Sequence, residues 1–283
     1  MTIKDSRGLW DALAALELSS APKIAKALKP FSRPVTDCYE CGVEVPTLSG
    51  KRKNTADIRL VGLFLKRVLN DLRATWDLLL LGYTSQAGSV VAAAFENALI
   101  ISCVAGNVPR AEKFLNRKYG DKPWSVAELC KMYTRQLKGA SKKSGRTSAD
   151  IEDETYWEVL YSQYMWLCKL KHPTIPSALH DAFSVSLTGA EYIIMAAPDT
   201  RTEDLPSKAF ILTVTTLRIK EAIDSLALAI ELDYESPNVI SWKKRFDSIV
   251  TNLDKAVDPI MKMPLPFDYK GHILTKTTRQ RQV

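Results

Sequence analysis

Apolar residues recur along most of this chain every three or four positions, which is the period of a helix buried on one face. Ile58, Val61, Leu65, Val68, Leu72, Trp76 and Leu79 form one such series, with Arg59, Lys66, Arg67, Asn70 and Arg73 between them. They predict a long amphipathic helix from Thr55 to about Leu81. A second helix, from about Gln86 to Val104, is apolar nearly all round and closes at Gly106, so it belongs at the centre of a bundle. Asn107 with Pro109 opens a shorter helix that ends before Gly120, and Ser125 with Glu128 reads as a capping box for another that ends near Gly139. The acidic run 150–154 suits the start of a helix reaching Lys171, which stops before Pro173. Leu212, Ile219, Ile223, Leu226 and Ile230 mark the next, and Ser236–Pro237 begins the last.

Three stretches break the helical period. Trp10–Leu18 reads as a short helix, followed by an irregular segment to about Asn54 that holds Pro22, Pro30, Pro34 and Pro46. Phe183, Val185 and Leu187, then Tyr192 and Ile194, alternate about Thr188–Gly189, which predicts a small β-hairpin near 183–195. Beyond Pro259 the tail carries Pro264, Pro266, Lys276, Arg279 and Arg281 and reads as extended or disordered. The expected architecture is therefore mainly α. Residues 1–54 form an N-terminal segment, 55–258 a single-domain helical bundle with the hairpin, and 259–283 a tail.

Composition narrows the class. With 46% hydrophobic and 25% charged residues in 283, the chain is neither low-complexity nor disordered. A net charge of +7 permits contact with nucleic acid without requiring it. The basic stretch Lys138–Arg146, read as a loop, and the tail cations Lys276–Arg281 are where such contact is expected. Five scattered cysteines do not make a disulfide scaffold, and with no apolar leader at the N-terminus they suit a reducing cytoplasm. Ser89–Gly106, interrupted by Glu96 and Asn97, is short for a membrane span, so no membrane segment is expected.

Candidate chemistry gathers at a few side chains. Glu96 has Ala92, Ala93, Leu99 and Ile100 as its helical neighbours, so a carboxylate there is either neutral or met by a donor from another element. His172 is the favoured donor. It sits at a helix C-terminus, where the dipole favours imidazolium, and Lys169 and Lys171 flank it. Five aromatic residues crowd the preceding helix. Of these, Tyr156 and Tyr161 are candidates for stacking on a ligand and Lys171 for contacting its phosphate. Cys38 and Cys41 have the spacing of half a zinc site, but no second pair follows at useful spacing, and reduced thiols without metal are the expectation. No glycine-rich phosphate loop, HExxH or nucleophile elbow is present, and no cofactor is expected.

The run QAxxVxAAxFENAL within Gly82–Gly106, followed by YxxLCKxxHP at Tyr164–Pro173, resembles a family of uncharacterised helical bacterial proteins. That family carries a glutamate in its central helix and a later His-Pro, and is similar in turn to the HEPN class (higher eukaryote and prokaryote nucleotide-binding). The resemblance covers about residues 55–173. It implies a homo-oligomeric helical protein of bacterial stress or phage defence, and many HEPN proteins are ribonucleases. Two departures bear on this. Ala92, Ala93 and Ala94 stand where an arginine commonly precedes the glutamate, and no Arg lies four to six residues ahead of His172. The expectation is therefore a non-catalytic binding or interaction protein. The alternative is a metal-independent ribonuclease using His172, with Glu96 and Lys169 as further catalytic candidates and Lys169 or Lys171 stabilising phosphate charge.

Overall fold

A computed structural model describes residues 7–52, 54–117, 121–144, 156–172, 198–199 and 204–260. Eight α-helices make up nearly all of these. They are α1 (Arg7–Glu44), α2 (Ala56–Leu80), α3 (Thr84–Val104), α4 (Val108–Leu115), α5 (Val126–Ser144), α6 (Tyr156–Lys171), α7 (Leu205–Ile230) and α8 (Pro237–Val257). A 3-10 turn, Val45–Thr47, follows α1. Among the described residues there is no sheet, only an isolated antiparallel bridge between Gly50 and Leu232. The hairpin expected at 183–195 and the tail beyond 260 lie outside the described residues.

The helices stack in layers. α1 and α8 pack together on one side, α2 and α7 lie beneath α1, and α3 lies against both of them. α5 and α6 then cover the far side of α3 and each other. With neighbours on so many sides, α3 buries fifteen of its residues, from Thr84 to Val104. Its length and composition would suit a membrane crossing, longer than the sequence reading allowed, but 72% of its most apolar window is buried inside the fold. Gly88 lets α6 come close, since a Cβ there would sit 2.5 Å from Leu170 Cδ1. The left-handed φ of 75° at Gly106 ends α3.

The N-terminal segment departs most from expectation. Where a short helix and an irregular stretch were expected, one helix of 38 residues runs straight through Pro22, Pro30 and Pro34. A proline inside a helix removes one hydrogen bond and costs about 3 kcal/mol. Here Ile24, Leu28, Phe31, Val35 and Cys38 recur at alternating steps of four and three and are all buried in the common core. Burying a large apolar side chain contributes about 1.5–3 kcal/mol, so this seam offsets the three prolines. The segment belongs to the same core as the rest, and the Trp242 indole of α8 ties it down by donating to the Cys41 carbonyl at 3.0 Å.

Residues 138–144 also differ from the expected loop. α5 continues as helix to Ser144, because only Gly139 opposes a run of Lys, Ala and Ser that tolerates helix well. Lys138 therefore stands on a helix and not in a linker. The capping box at its start is present. Ser125 N donates to Glu128 Oε2 at 2.7 Å, and Glu128 N donates to Ser125 Oγ at 3.3 Å.

Candidate functional site

Glu96 leaves the middle of α3 toward the junction of α5 and α6. Its Oε2 accepts from Lys122 Nζ at 2.5 Å, and its Oε1 accepts from the Tyr164 hydroxyl at 2.7 Å. The donor expected from sequence was His172. Instead His172 stands exposed at the end of α6, where its backbone N–H donates to the Cys168 carbonyl at 2.8 Å. Lysine can do this work because only its amine enters the site. The Lys122 side chain is 68% exposed while that of Glu96 is 13% exposed, so the pair forms with most of the lysine still in solvent. Burial pushes the Glu96 carboxyl up, but the hydrogen bonds from Lys122 and Tyr164 and the charges of Lys122 and Lys171 together hold it below the ordinary carboxylate value. Tyr164 moves the other way. Burial, a hydrogen bond to Cys168 and the Glu96 carboxylate raise its phenol well above normal, so it remains a neutral donor. This cluster is an ion-paired hub joining α3, α6 and the segment before α5.

The remaining candidates are spread over different surroundings. Lys169 is half-buried and Lys171 exposed, and the latter comes near enough to bias Glu96. Tyr156 turns inward to hydrogen-bond the buried guanidinium of Arg218 on α7. Arg218 also pairs with Glu221 at 2.7 Å, and the Tyr133 hydroxyl of α5 reaches the same carboxylate. Burial raises the Glu221 carboxyl, and Arg218 and Tyr133 only partly oppose it. Cys38 and Cys41 are both fully buried between α1 and its neighbours, and burial pushes both thiols up. Among the described residues no group of three or more His, Cys, Asp or Glu side chains is placed to hold a metal.

A second feature was not anticipated as a unit. Lys131, Thr134, Arg135 and Lys138 of α5 line a groove of about 300 Å³ with Trp157 of α6 as its opposite wall. The three cations fall at i, i+4 and i+7, which puts them on one face of the helix about 6 and 4.5 Å apart along its axis. The Lys131 amine lies 4.4 Å from the centre of the Trp157 ring, a cation–π contact. No carboxylate lines the groove among the described residues, the nearest in sequence being Glu128, engaged with Ser125, and Glu158.

The groove and the Glu96 hub share α6. Lys131 meets Trp157, whereas Lys122 meets the carboxylate that also binds Tyr164. Moving back from Lys131 on α5 to Lys122 in the segment before it thus moves forward along α6, so α5 and α6 run antiparallel. Between those contacts α6 carries a file of rings. Trp157 and Tyr161 have centroids 6.5 Å apart, Tyr161 and Tyr164 6.3 Å, and Tyr164 meets Phe95 of α3 at 5.8 Å. Tyr161, a candidate from sequence, is the middle ring of this file.

No protein-family model, curated protein or solved structure matches the chain. Sequence reasoning singled out Glu96, Tyr161 and Lys138 but not Lys122, Lys131, Arg135 or Trp157. The i, i+4, i+7 spacing of Lys131, Arg135 and Lys138 was the available signal. It was hidden because Lys138 was assigned to a loop.

Proposed function

We propose that this protein is a non-catalytic helical binding protein that takes phosphate-bearing polyanions in the groove between α5 and α6. The observation that carries the reading is the row of Lys131, Arg135 and Lys138 facing Trp157, with no carboxylate among the described residues that line the groove. Three cations on one rigid helix face make a preformed positive strip, and their self-repulsion is relieved when an anion binds. The Glu96 hub supports the non-catalytic side of the reading. A carboxylate held low by an ion pair and a phenol held high are both far from the pKa near neutrality that general acid–base catalysis needs.

Binding of a labelled 20-nucleotide RNA and of inorganic polyphosphate, followed by polarisation across a salt series, tests this. Three phosphate contacts predict a slope of log K against log salt near about −2 for a single strand, and Arg135→Glu should flatten it and weaken both ligands at least tenfold. Salt-independent binding, or an unchanged Arg135→Glu variant, would refute the groove. RNA that is cut by the parent and spared by His172→Ala would establish the ribonuclease instead.

A further inference from the structure

The groove has two walls of different chemistry. Its α5 wall offers charge to phosphates, whereas its α6 wall offers the indole of Trp157, a flat apolar ring at the head of the Trp157–Tyr161–Tyr164 file. A ligand that is only anionic, such as polyphosphate, has no use for the second wall. A base-paired duplex also fails to use it, because its bases are stacked on one another and turned away from the backbone. A single strand presents both a phosphate chain and unstacked bases with exposed π faces.

Resting on the polyanion-binding reading above, we propose that the groove recognises single-stranded nucleic acid, with the backbone along Lys131, Arg135 and Lys138 and one base stacked on Trp157. The spacing fits this better than it fits a compact polyphosphate headgroup. From Lys131 to Lys138 the helix advances about 10.5 Å, enough to address several successive backbone positions. Lys131 is the movable part. Its amine covers the indole at 4.4 Å, and its four-carbon stem lets it swing to a phosphate as a base takes its place on the ring. A cation–π contact at an exposed site is weaker than a stacked base, so the exchange favours the base. Tyr161, half-buried behind Trp157, supports the indole from the core side. Specificity for particular bases is not implied, since every base has a π face.

The test uses the full chain and three probes: a 12-nucleotide oligo(U) RNA, a fully paired 12-base-pair RNA duplex, and inorganic polyphosphate. The parent should bind oligo(U) at least tenfold more tightly than the duplex at equal salt. Trp157→Leu should weaken oligo(U) by about 5- to 150-fold, the range expected for one stacked base, and leave polyphosphate within twofold. Equal losses for both ligands, or none for oligo(U), would overturn the stacking. Arg135→Glu separates the two levels. If it affects no probe, the underlying polyanion reading has failed; if it weakens all probes while Trp157→Leu changes none, only the single-strand inference has failed. Should Trp157→Leu unfold, Trp157→Phe provides the same decision by fluorescence. Oligo(U) should quench part of the parent tryptophan emission, and that part should vanish in Trp157→Phe. Quenching identical to the parent would overturn the proposal.

Discussion

Replacing Glu96 by alanine removes one carboxylate and two hydrogen bonds, and the structure indicates how much stability each carries. The Lys122 amine at 2.5 Å makes a short ion pair, but its side chain is 68% exposed and regains water when the partner is lost. Such a pair contributes about 0–1 kcal/mol. The Tyr164 hydroxyl is half-buried, and losing its acceptor leaves a donor partly dehydrated, at about 1–3 kcal/mol. Removing a carboxylate that is 13% exposed recovers some desolvation energy, which places the net loss for Glu96→Ala at about 1–3 kcal/mol. A fully buried pair broken on one side would lose about 3–5 kcal/mol. Urea unfolding at pH 7 measures the difference. Tyr164→Phe should account for more of it than Lys122→Met, because the phenol is the less hydrated partner. The pH profile adds a second check. Since the folded carboxyl lies below its ordinary value, Glu96 contributes stability above that value, and the contribution disappears as pH falls through the folded pKa. Parent and Glu96→Gln curves should therefore converge in acid. A Glu96→Ala variant as stable as the parent, or curves that stay parallel down to pH 3, would refute the pairing.

Three further outcomes follow from the interior. Lys208 and Asp204 form an ion pair whose side chains are 3% and 0% exposed, and Thr84 adds a hydrogen bond to Asp204 at 2.5 Å. Lys208→Met alone should cost about 3–5 kcal/mol by stranding the carboxylate, and pairing it with Asp204→Leu should recover most of that loss in thermal unfolding; equal losses for the single and double variants would disprove the account. Burial raises the thiols of Cys103 and Cys130 to about 12 and raises those of Cys38 and Cys41 as well, so these four should resist a disulfide reagent at pH 8 until guanidinium unfolds the chain; rapid labelling of the native protein at any of the four, mapped by mass spectrometry, would contradict this. Trp242→Phe should lose about 1–3 kcal/mol by orphaning the buried Cys41 carbonyl, read as a lower urea midpoint, and an unshifted midpoint would show that the bond to α1 carries no weight.

The helices from α2 onward were legible because their burial is one-sided and their ends carry local chemistry. Asn107 accepts from Arg110 N at 3.0 Å, and Ser125 with Glu128 closes its box, both as their spacing requires. α1 was not legible for the opposite reason. Its prolines are strong local signals of interruption, whereas the seam from Ile24 to Cys38 stabilises a helix only once α2, α7 and α8 are there to bury it. A local penalty was weighed without the tertiary gain that offsets it.

The same distinction explains the sites. That Glu96 needs a partner follows from its apolar neighbours, and the structure supplies two. Which residues answer depends on how α6 and the segment before α5 lie against α3, a relation that no spacing within one helix contains. His172 is nearer in kind, being short and placed at a helix end, but reach decides the matter: Lys122 sends a long side chain in from solvent and leaves its stem wet. The groove follows from how α5 lies against α6. Tyr156 and Trp157 are adjacent in sequence and look interchangeable as stacking residues, yet successive helical positions point about 100° apart. One ring therefore faces the buried Arg218 while the other faces Lys131 and solvent. If α5 and α6 were separated, the cationic groove would exist on neither helix alone. A variant that weakens their packing should thus lose polyanion binding in the salt-series assay, and unchanged binding would refute the groove as a joint product of the two helices.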